Sequence, residues 1–237
     1  MLDLPHSPHY NEPMPTPTPS LSLPILHDFP NEIVGERVFV RPLRAGDGAA
    51  LWEAVDESRE QIGPWLPWVA KIICPNDSEG AARRGAARWQ TREDLMVGIW
   101  ERATGRYLGG SGLHRIAWEV PCFEIGYWLR TSAWGKGYVS ETVRLLTGFA
   151  FETLEAKRVE IRCDASNDRS LAVPKRLGFV EEGRLRNSAR DAAGALRDTL
   201  IFAMTPDDYG RARVEWPAPP ADAAQKGTPR PNAVQLR

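Results

Sequence analysis

The sequence predicts a mixed α/β fold in which a central, mostly antiparallel sheet is flanked by helices. Three strand-like segments follow one another at Leu95–Glu101, Tyr107–Ile116 and Phe123–Arg130, a succession that is typical of antiparallel neighbours. The pattern then changes to strand, helix, strand, helix, strand, so the fold is not a uniform alternation of strands and helices. The unit over 123–164 predicts one parallel, right-handed strand pair within the sheet.

Proline content marks the two ends of the predicted domain, which we place at residues 31–212. Eight of the 20 prolines lie in residues 1–30. Because proline has no N–H donor, that segment predicts a disordered N-terminal tail. A second proline-containing segment, residues 213–237, predicts a disordered C-terminal tail.

The first half of the domain contains one strand and two helices. Val38–Leu43 predicts the strand. Asp47 is suited to cap a helix over Ala49–Gln61, and Ser78 is suited to cap a second helix, because both side chains accept hydrogen bonds from backbone N–H groups. The segment Trp65-Leu66-Pro67-Trp68 interrupts regular structure between them.

The second half begins with a hairpin turn at Thr104-Gly105. A long helix, Tyr138–Phe151, is predicted because Val139, Val143, Leu146 and Ala150 recur at helical spacing and form one apolar stripe. The remaining predicted elements are the strand Arg158–Asp164, the helix Arg169–Leu177 and the strands Phe179–Leu185 and Thr199–Met204.

Charge balance and cysteine usage argue against several classes of partner. The 30 Lys and Arg against 31 Asp and Glu give a net charge of −1, which provides no general attraction for nucleic acid or anionic lipid. The three cysteines lack metal-ligand spacing, and their odd number does not suit a disulfide framework. No apolar segment approaches the roughly 20 residues of a membrane span, and no signal peptide is evident. We expect a cytoplasmic protein with no metal, nucleic-acid or membrane partner.

A glycine-rich turn, Trp134-Gly135-Lys136-Gly137-Tyr138-Val139-Ser140-Glu141, joins a predicted strand to the long helix. Helix N-termini expose unpaired N–H groups and a partial positive charge, and glycine allows the backbone to close around a phosphate. The turn has neither the P-loop pattern nor the third glycine of a dinucleotide fingerprint. By itself it indicates either a diphosphate site or a tight turn without a ligand.

Further motifs surround this turn. Glu124-Ile125-Gly126-Tyr127-Trp128-Leu129 precedes it, and Asn167-Asp168-Arg169-Ser170 and Leu177-Gly178-Phe179 follow it. Together with Trp65-Leu66-Pro67-Trp68, this run resembles the GNAT N-acetyltransferases, and within them the group of the ribosomal-protein acetylases RimJ and RimL. The resemblance covers residues 33–210. It implies a GNAT fold with a splayed parallel strand pair, acetyl-coenzyme A (acetyl-CoA) as co-substrate, an amine acceptor, no metal and a homodimer.

The resemblance also implies which residues bind coenzyme A. Backbone N–H groups of residues 135–139 would hold the diphosphate, and the pantetheine arm would contact the backbone near Leu129 and the side chain of Asn167. The implied set is Leu129, Trp134, Gly135, Lys136, Gly137, Tyr138, Val139 and Asn167. Trp134 stands where the family pattern has Gln or Arg, and Val139 stands where it has a small residue, which narrows the turn. Asn167 is equally suited to cap the following helix.

Two catalytic groups are implied in the same way. Glu124 would take the proton from the acceptor amine, and its alternative role is a salt bridge to His114 or Arg115. Ser170 would protonate the leaving thiolate, and its alternative role is that of an ordinary first-turn serine. Many relatives have a tyrosine acid where this chain has Pro174.

The acceptor site is less specific. A glutamate that serves as base in RimL aligns with Ala189, so that role is not carried over. Trp65 and Trp68 would line the acceptor site, although two tryptophans are also common core anchors. His114 would lie in the same site and is suited to shuttle a proton there, although a lone histidine is more often structural.

Three functions therefore stand open. The first is acetylation of a protein N-terminal α-amine, and the second is acetylation of a small amine such as an antibiotic or amino compound. The third is a non-catalytic acyl-CoA sensor or interaction module.

Overall fold

A computed structural model describes residues 24–191 and 194–217, which form one eight-stranded sheet with helices on both faces. The strands are β1 (Ile33–Val34), β2 (Val38–Pro42), β3 (Leu95–Glu101), β4 (Tyr107–Ala117), β5 (Cys122–Leu129), β6 (Arg158–Asp164), β7 (Val180–Arg190) and β8 (Leu196–Met204). The helices are α1 (Gly48–Ile62), α2 (Pro75–Thr91), α3 (Tyr138–Glu152), α4 (Asp168–Arg176) and α5 (Pro206–Glu215). Short 3₁₀ turns lie at Pro24–Leu26, Pro67–Lys71 and Thr131–Ala133.

The sheet has the order β1-β2-β3-β4-β5-β6-β8-β7, and β5 with β6 is its one parallel pair among the described strands. This pair is matched only at its start, where Cys122, Phe123 and Glu124 oppose Arg158, Val159 and Glu160. Beyond these residues the two strands diverge, while β5 stays paired with β4 and β6 stays paired with β8. The predicted mixed sheet with a splayed parallel pair is thus confirmed.

Two apolar cores cover the two faces of the sheet. On one face, the predicted stripe of α3 packs against β5, with Val143, Leu146 and Ala150 buried together with Phe123 and Ile125. On the other face, α1 and the following turn enclose a second core that contains Val55, Val69 and Trp100. The opening between β5 and β6 therefore has helices α3 and α4 on one side and the α1–α2 layer on the other.

The predicted start of α2 is wrong. The helix begins at Pro75, and the Asp77 carboxylate accepts hydrogen bonds from the N–H groups of Ile73 and Cys74, each at 3.0 Å. Proline suits the first position of a helix because its missing N–H would be unpaired there in any case. Ser78 lies inside the helix and is fully buried, so it does not cap it.

Residues 24–30, which the prediction assigned to the N-terminal tail, are described by the structure, and the last of them pack against the domain. Phe29 packs edge-to-face against Trp89 and Phe149, with ring centroids 5.9 and 5.5 Å apart. The buried guanidinium of Arg92 lies 3.9 Å from the Phe29 ring centroid and donates to the carbonyl of His27 at 2.7 Å. These aromatic contacts anchor the segment to the core. Residues 1–23 of the predicted tail lie outside the described residues.

Helix α5 is absent from the sequence prediction, and it crosses the predicted domain boundary at 212. Thr205 and Asp208 cap it reciprocally, and Pro206 occupies its first position, so a local start signal was present. The Tyr209 ring stacks on Phe151 of α3 with centroids 4.8 Å apart. Residues 218–237 of the predicted C-terminal tail lie outside the described residues. Among the described residues, no helix has the length and apolar character that crossing a bilayer requires.

Candidate active site

The glycine-rich turn lies at the N-terminus of α3, beside the end of β5. Gly135 and Gly137 have φ of 73° and 79°, values in the left-handed region that glycine adopts without strain. Helix α3 has no side-chain cap among the described residues, so the N–H groups of its first turn have no partner within the helix. An uncapped N-terminus with a glycine-lined approach fits the diphosphate of coenzyme A.

Arg37 and Glu141 hold this turn against the start of β2. Glu141 is buried and accepts from the N–H of Arg37 at 2.8 Å and from its Nε at 3.0 Å. The Arg37 Nη1 group donates to the carbonyl of Lys136 at 2.7 Å. Arg37, which lies just before β2, therefore holds the predicted phosphate turn in place. The Lys136 side chain is exposed.

Trp134 connects the turn to the end of β5. Its indole N–H donates to the carbonyl of Leu129 at 2.9 Å, and the Arg169 guanidinium lies 4.6 Å from its ring. The Tyr138 hydroxyl donates to Glu101 at 2.6 Å, and this hydrogen bond raises the pKa of Tyr138. Val139 is half-buried and packs on the core beneath α3.

Ser170 lies on the α3–α4 side of the opening between β5 and β6, and it contacts one residue of each of these two strands. Its hydroxyl donates to the Tyr127 hydroxyl of β5 at 3.3 Å and lies 3.2 Å from the Cys163 sulfur of β6. Burial raises the pKa of both Tyr127 and Cys163, so both remain protonated at neutral pH. Asn167 caps α4 by accepting from the Ser170 N–H at 3.2 Å.

Pro174 accounts for the contact between Tyr127 and α4. The proline lies inside the helix and cannot donate to the carbonyl four residues earlier, which is that of Ser170. That carbonyl instead accepts from the Tyr127 hydroxyl at 2.9 Å. The missing helical hydrogen bond is thus replaced by one from β5.

Glu124 lies on the opposite face of the sheet and is paired with two arginines. Its Oε2 is 3.2 Å from Arg115 Nε and 3.3 Å from Arg162 Nε, and its side chain is 17% exposed. Burial raises the pKa of Glu124, and the two arginines act against that shift. The salt bridge to Arg115, which the sequence left as an alternative, is present.

His114 is the cross-strand partner of Glu124 and lies on the same face. Its Nδ1 is 2.9 Å from Asp94, so the histidine pairs with Asp94 and not with Glu124. A side chain at Gly112 or Gly126 would approach the imidazole to 2.8 or 3.4 Å. The two glycines therefore form a floor on which the ring lies.

The two tryptophans of the acceptor prediction lie on this side as well. Trp68 packs edge-to-face on Trp128 of β5 with centroids 5.5 Å apart. Trp65 lies 4.7 Å from the guanidinium of Arg197 on β8. Within 24–191 and 194–217, no group of three or more His, Cys, Asp or Glu side chains is arranged to hold a metal ion.

The sequence of the domain decides its family. Residues 37–180, more than half of the chain, match the acetyltransferase (GNAT) domain. The chain belongs to the GNAT acetyltransferase family. It is therefore an acyltransferase, of the RimJ/RimL-like group.

Named relatives of this GNAT domain include ribosomal-protein acetyltransferases. A candidate ribosomal N-acetyltransferase of Bacillus subtilis, YdaF, is 31% identical over 185 residues, which cover 77% of this chain and 95% of the relative. A ribosomal-protein-serine acetyltransferase of Escherichia coli (strain K12) is 37% identical over 157 residues, which cover 66% of this chain and 86% of the relative. The solved structure of a candidate ribosomal-protein-serine acetyltransferase from Vibrio cholerae is similar, with a TM-score of 0.65 and 26% identity. The match covers 74% of this chain and 97% of the solved one.

The site residues predicted from the sequence lie on two sides of the opening between β5 and β6 of the GNAT domain. The turn at 134–139, Asn167 and Ser170 lie toward α3 and α4, whereas Glu124, His114 and Trp68 lie on the α1–α2 side. The sequence prediction missed the partners of these residues, which are Arg37, Asp94, Tyr127 and Cys163. Gly112, two residues before His114, was the one local signal that a side chain lies close over the strand there.

Proposed function

We propose that this GNAT enzyme transfers the acetyl group of acetyl-CoA to the N-terminal α-amine of a protein. The observation that supports the co-substrate is the uncapped N-terminus of α3 beside the opening between β5 and β6. The diphosphate would bind to the N–H groups of the turn. The amide-rich pantetheine arm would lie along the free edge of β5, in the manner of an added strand.

The chemistry is direct transfer between the two sides of the opening. The amine nitrogen forms a bond to the acetyl carbon, the carbon–sulfur bond breaks, and the sulfur leaves as a thiolate. We assign protonation of that thiolate to Ser170, whose hydroxyl lies between β5 and β6. The proton that the nitrogen loses as the amide forms replaces the one that Ser170 gives up. The amine must lose a proton before it attacks, and one titratable side chain on the acceptor side, where His114 and Glu124 face each other, is sufficient to accept it.

The acceptor class is supported by similarity to the ribosomal-protein-serine acetyltransferase of Escherichia coli. A peptide N-terminus would enter beside the Trp68–Trp128 pair, whose rings can pack against its first side chains. The three free cysteines are consistent with a cytoplasmic acceptor.

The experiment that tests this function is a thiol-release assay with acetyl-CoA. The acceptors are peptides with a free serine or alanine N-terminus, the same peptides with a blocked N-terminus, polyamines and aminoglycosides. We expect release with the free peptides and none with the blocked ones. Faster release with polyamines or aminoglycosides would instead support a small-amine acceptor, and tight acetyl-CoA binding without release would support a sensor.

The phosphate turn has a test of its own, with a matched control. Gly137→Glu places a side chain and a negative charge at the turn, so we expect a loss of acetyl-CoA affinity of at least about 10²-fold by calorimetry, equivalent to roughly 3 kcal/mol. Gly105→Glu is the control, because Gly105 has a similar φ of 69° in the β3–β4 hairpin, and it should retain affinity. Equal affinity of the two variants, both folded by circular dichroism, would refute the assignment.

A further inference from the structure

Two titratable side chains lie on the acceptor side of the opening, and they differ in their charged partners. His114 and Glu124 are directly opposed in the β4–β5 register. Only one of them needs to accept the proton of the amine. The charged groups around the pair are Asp94 before β3, Arg115 on β4, and Glu160 and Arg162 on β6.

Glu124 is poorly arranged to act as a base. Its Oε2 contacts two guanidinium groups, those of Arg115 and Arg162, within 3.3 Å. Arg162 also pairs with Glu160 at 2.8 Å, so the Glu124 carboxylate belongs to a network of ion pairs that extends across β4, β5 and β6. The ion pairs also hold the carboxylate toward the arginines.

His114 has the arrangement that Glu124 lacks. Asp94 accepts from its Nδ1 at 2.9 and 3.1 Å, which fixes the tautomer with the lone pair on Nε2. Within the part of the chain that the structure describes, Nε2 has no hydrogen-bond partner. The ring lies over Gly126, the residue of β5 at which the strand has already separated from β6. Nε2 is therefore held beside the opening, with a carboxylate behind the ring.

We infer that His114, oriented by Asp94, is the general base that deprotonates the acceptor amine, an inference that rests on the proposed function. The proton of the ammonium group passes to Nε2, the neutral amine attacks the acetyl carbon, and Asp94 stabilises the resulting imidazolium. The imidazolium then returns the proton to water. Asp94 is a positioning residue, and Glu124 holds Arg115 and Arg162.

The test compares three variants, His114→Gln, Asp94→Asn and Glu124→Gln, with the parent enzyme in the thiol-release assay over a range of pH. We expect His114→Gln to lower kcat/KM by about 10²-fold near neutral pH and to recover at high pH, where solvent provides the neutral amine. Asp94→Asn should lower kcat about tenfold and leave the KM of the acceptor nearly unchanged, because a neutral amide stabilises the imidazolium of the reaction less than a carboxylate does. Glu124→Gln should change kcat/KM by less than about threefold. The dissociation constant of acetyl-CoA should stay unchanged in all three.

A chemical rescue separates catalysis from a structural role. His114→Gly leaves space over the glycine floor, so added imidazole should restore part of its activity without changing its melting temperature. A loss of about 10²-fold in Glu124→Gln, together with parent-like activity of His114→Gln, would overturn the inference and make Glu124 the base. Absence of thiol release by the parent enzyme with every amine would overturn the proposed function, and this inference with it.

Discussion

The carbonyl of Ser170 shows how one residue can redirect a hydrogen bond into the active site. Pro174 cannot donate to it, and the Tyr127 hydroxyl donates to it instead. The same Tyr127 hydroxyl accepts from the Ser170 side chain. Tyr127 therefore fixes both the backbone and the side chain of the proposed acid.

Tyr127→Phe removes this donor and leaves the Ser170 carbonyl without its partner. We expect a loss of about 1–3 kcal/mol in the free energy of unfolding, the usual cost of an unsatisfied buried polar group. Turnover should fall as well, because the Ser170 hydroxyl loses its acceptor. Urea denaturation and the thiol-release assay measure the two effects.

A double-mutant cycle tests the cause. Pro174→Ala supplies an N–H that can donate to the Ser170 carbonyl within α4. The stability loss of Tyr127→Phe should therefore be smaller in the presence of Pro174→Ala than in its absence. Strictly additive losses would show that the two residues do not compete for that carbonyl.

At the scale of elements, helix α1 positions the connection between β5 and α3. Arg130, at the end of β5, is buried, and it donates to Glu57 at 2.7 Å and to Glu53 at 2.6 Å. Glu57 also accepts from the Ser132 N–H at 3.0 Å, and Ser58 accepts from the Thr131 N–H at 2.9 Å. The segment that leads into the phosphate turn is thus held by one face of α1.

Glu57→Gln should destabilise the protein in a pH-dependent way. Burial works to raise the pKa of Glu57, but hydrogen bonds from Arg130 and Ser132 outweigh it and lower the pKa to about 2. A carboxyl with a lowered pKa stabilises the fold above its unfolded value of 4.5, and this contribution is lost as the pH falls toward about 2.

We therefore expect the variant to lose stability at neutral pH, by less than the roughly 3–5 kcal/mol of a fully broken buried pair because Glu53 remains. The difference from the parent should shrink below about pH 4.5. Urea denaturation at neutral and acidic pH measures it. Glu60→Gln, an exposed change on the same helix, is the control. A difference that is independent of pH would contradict the role of the Glu57 charge.

Local patterns predicted the elements well and their partners poorly. The strands β3 and β6 have the predicted bounds, because their alternating or apolar runs are flanked by clear turn residues. Helix α5 was missed because Tyr209 is its one buried residue, so its sequence has no apolar stripe that would suggest burial. The pairs that shape the site join residues 20 positions apart, for His114 with Asp94, and 104 apart, for Arg37 with Glu141. Such contacts are decided by sheet topology, which no local pattern specifies.

At the scale of the whole molecule, the sheet consists of two parts that meet at β5 and β6. One part contains β1 to β5 and the other contains β6, β8 and β7. Only three residue pairs join them, at 122–124 and 158–160, and beyond these the N–H and C=O groups of β5 that point toward β6 have no strand opposite. A pantetheine arm in the opening would supply the missing partners.

Coenzyme A should therefore stabilise the protein and protect a defined region. At a concentration of about 100 times the dissociation constant, mass action predicts a gain of about 2.7 kcal/mol in the free energy of unfolding. Hydrogen exchange should slow most in Ile125–Leu129 of β5 and in Ile161–Asp164 of β6, because these segments line the opening. Helix α5 contacts Phe151 and Glu152 at the end of α3, and its hydrogen exchange should not change when coenzyme A binds.

At the same coenzyme A concentration, Gly137→Glu should lose both the gain in stability and the protection, whereas Gly105→Glu should keep them. Protection spread evenly over the sheet would contradict binding between β5 and β6.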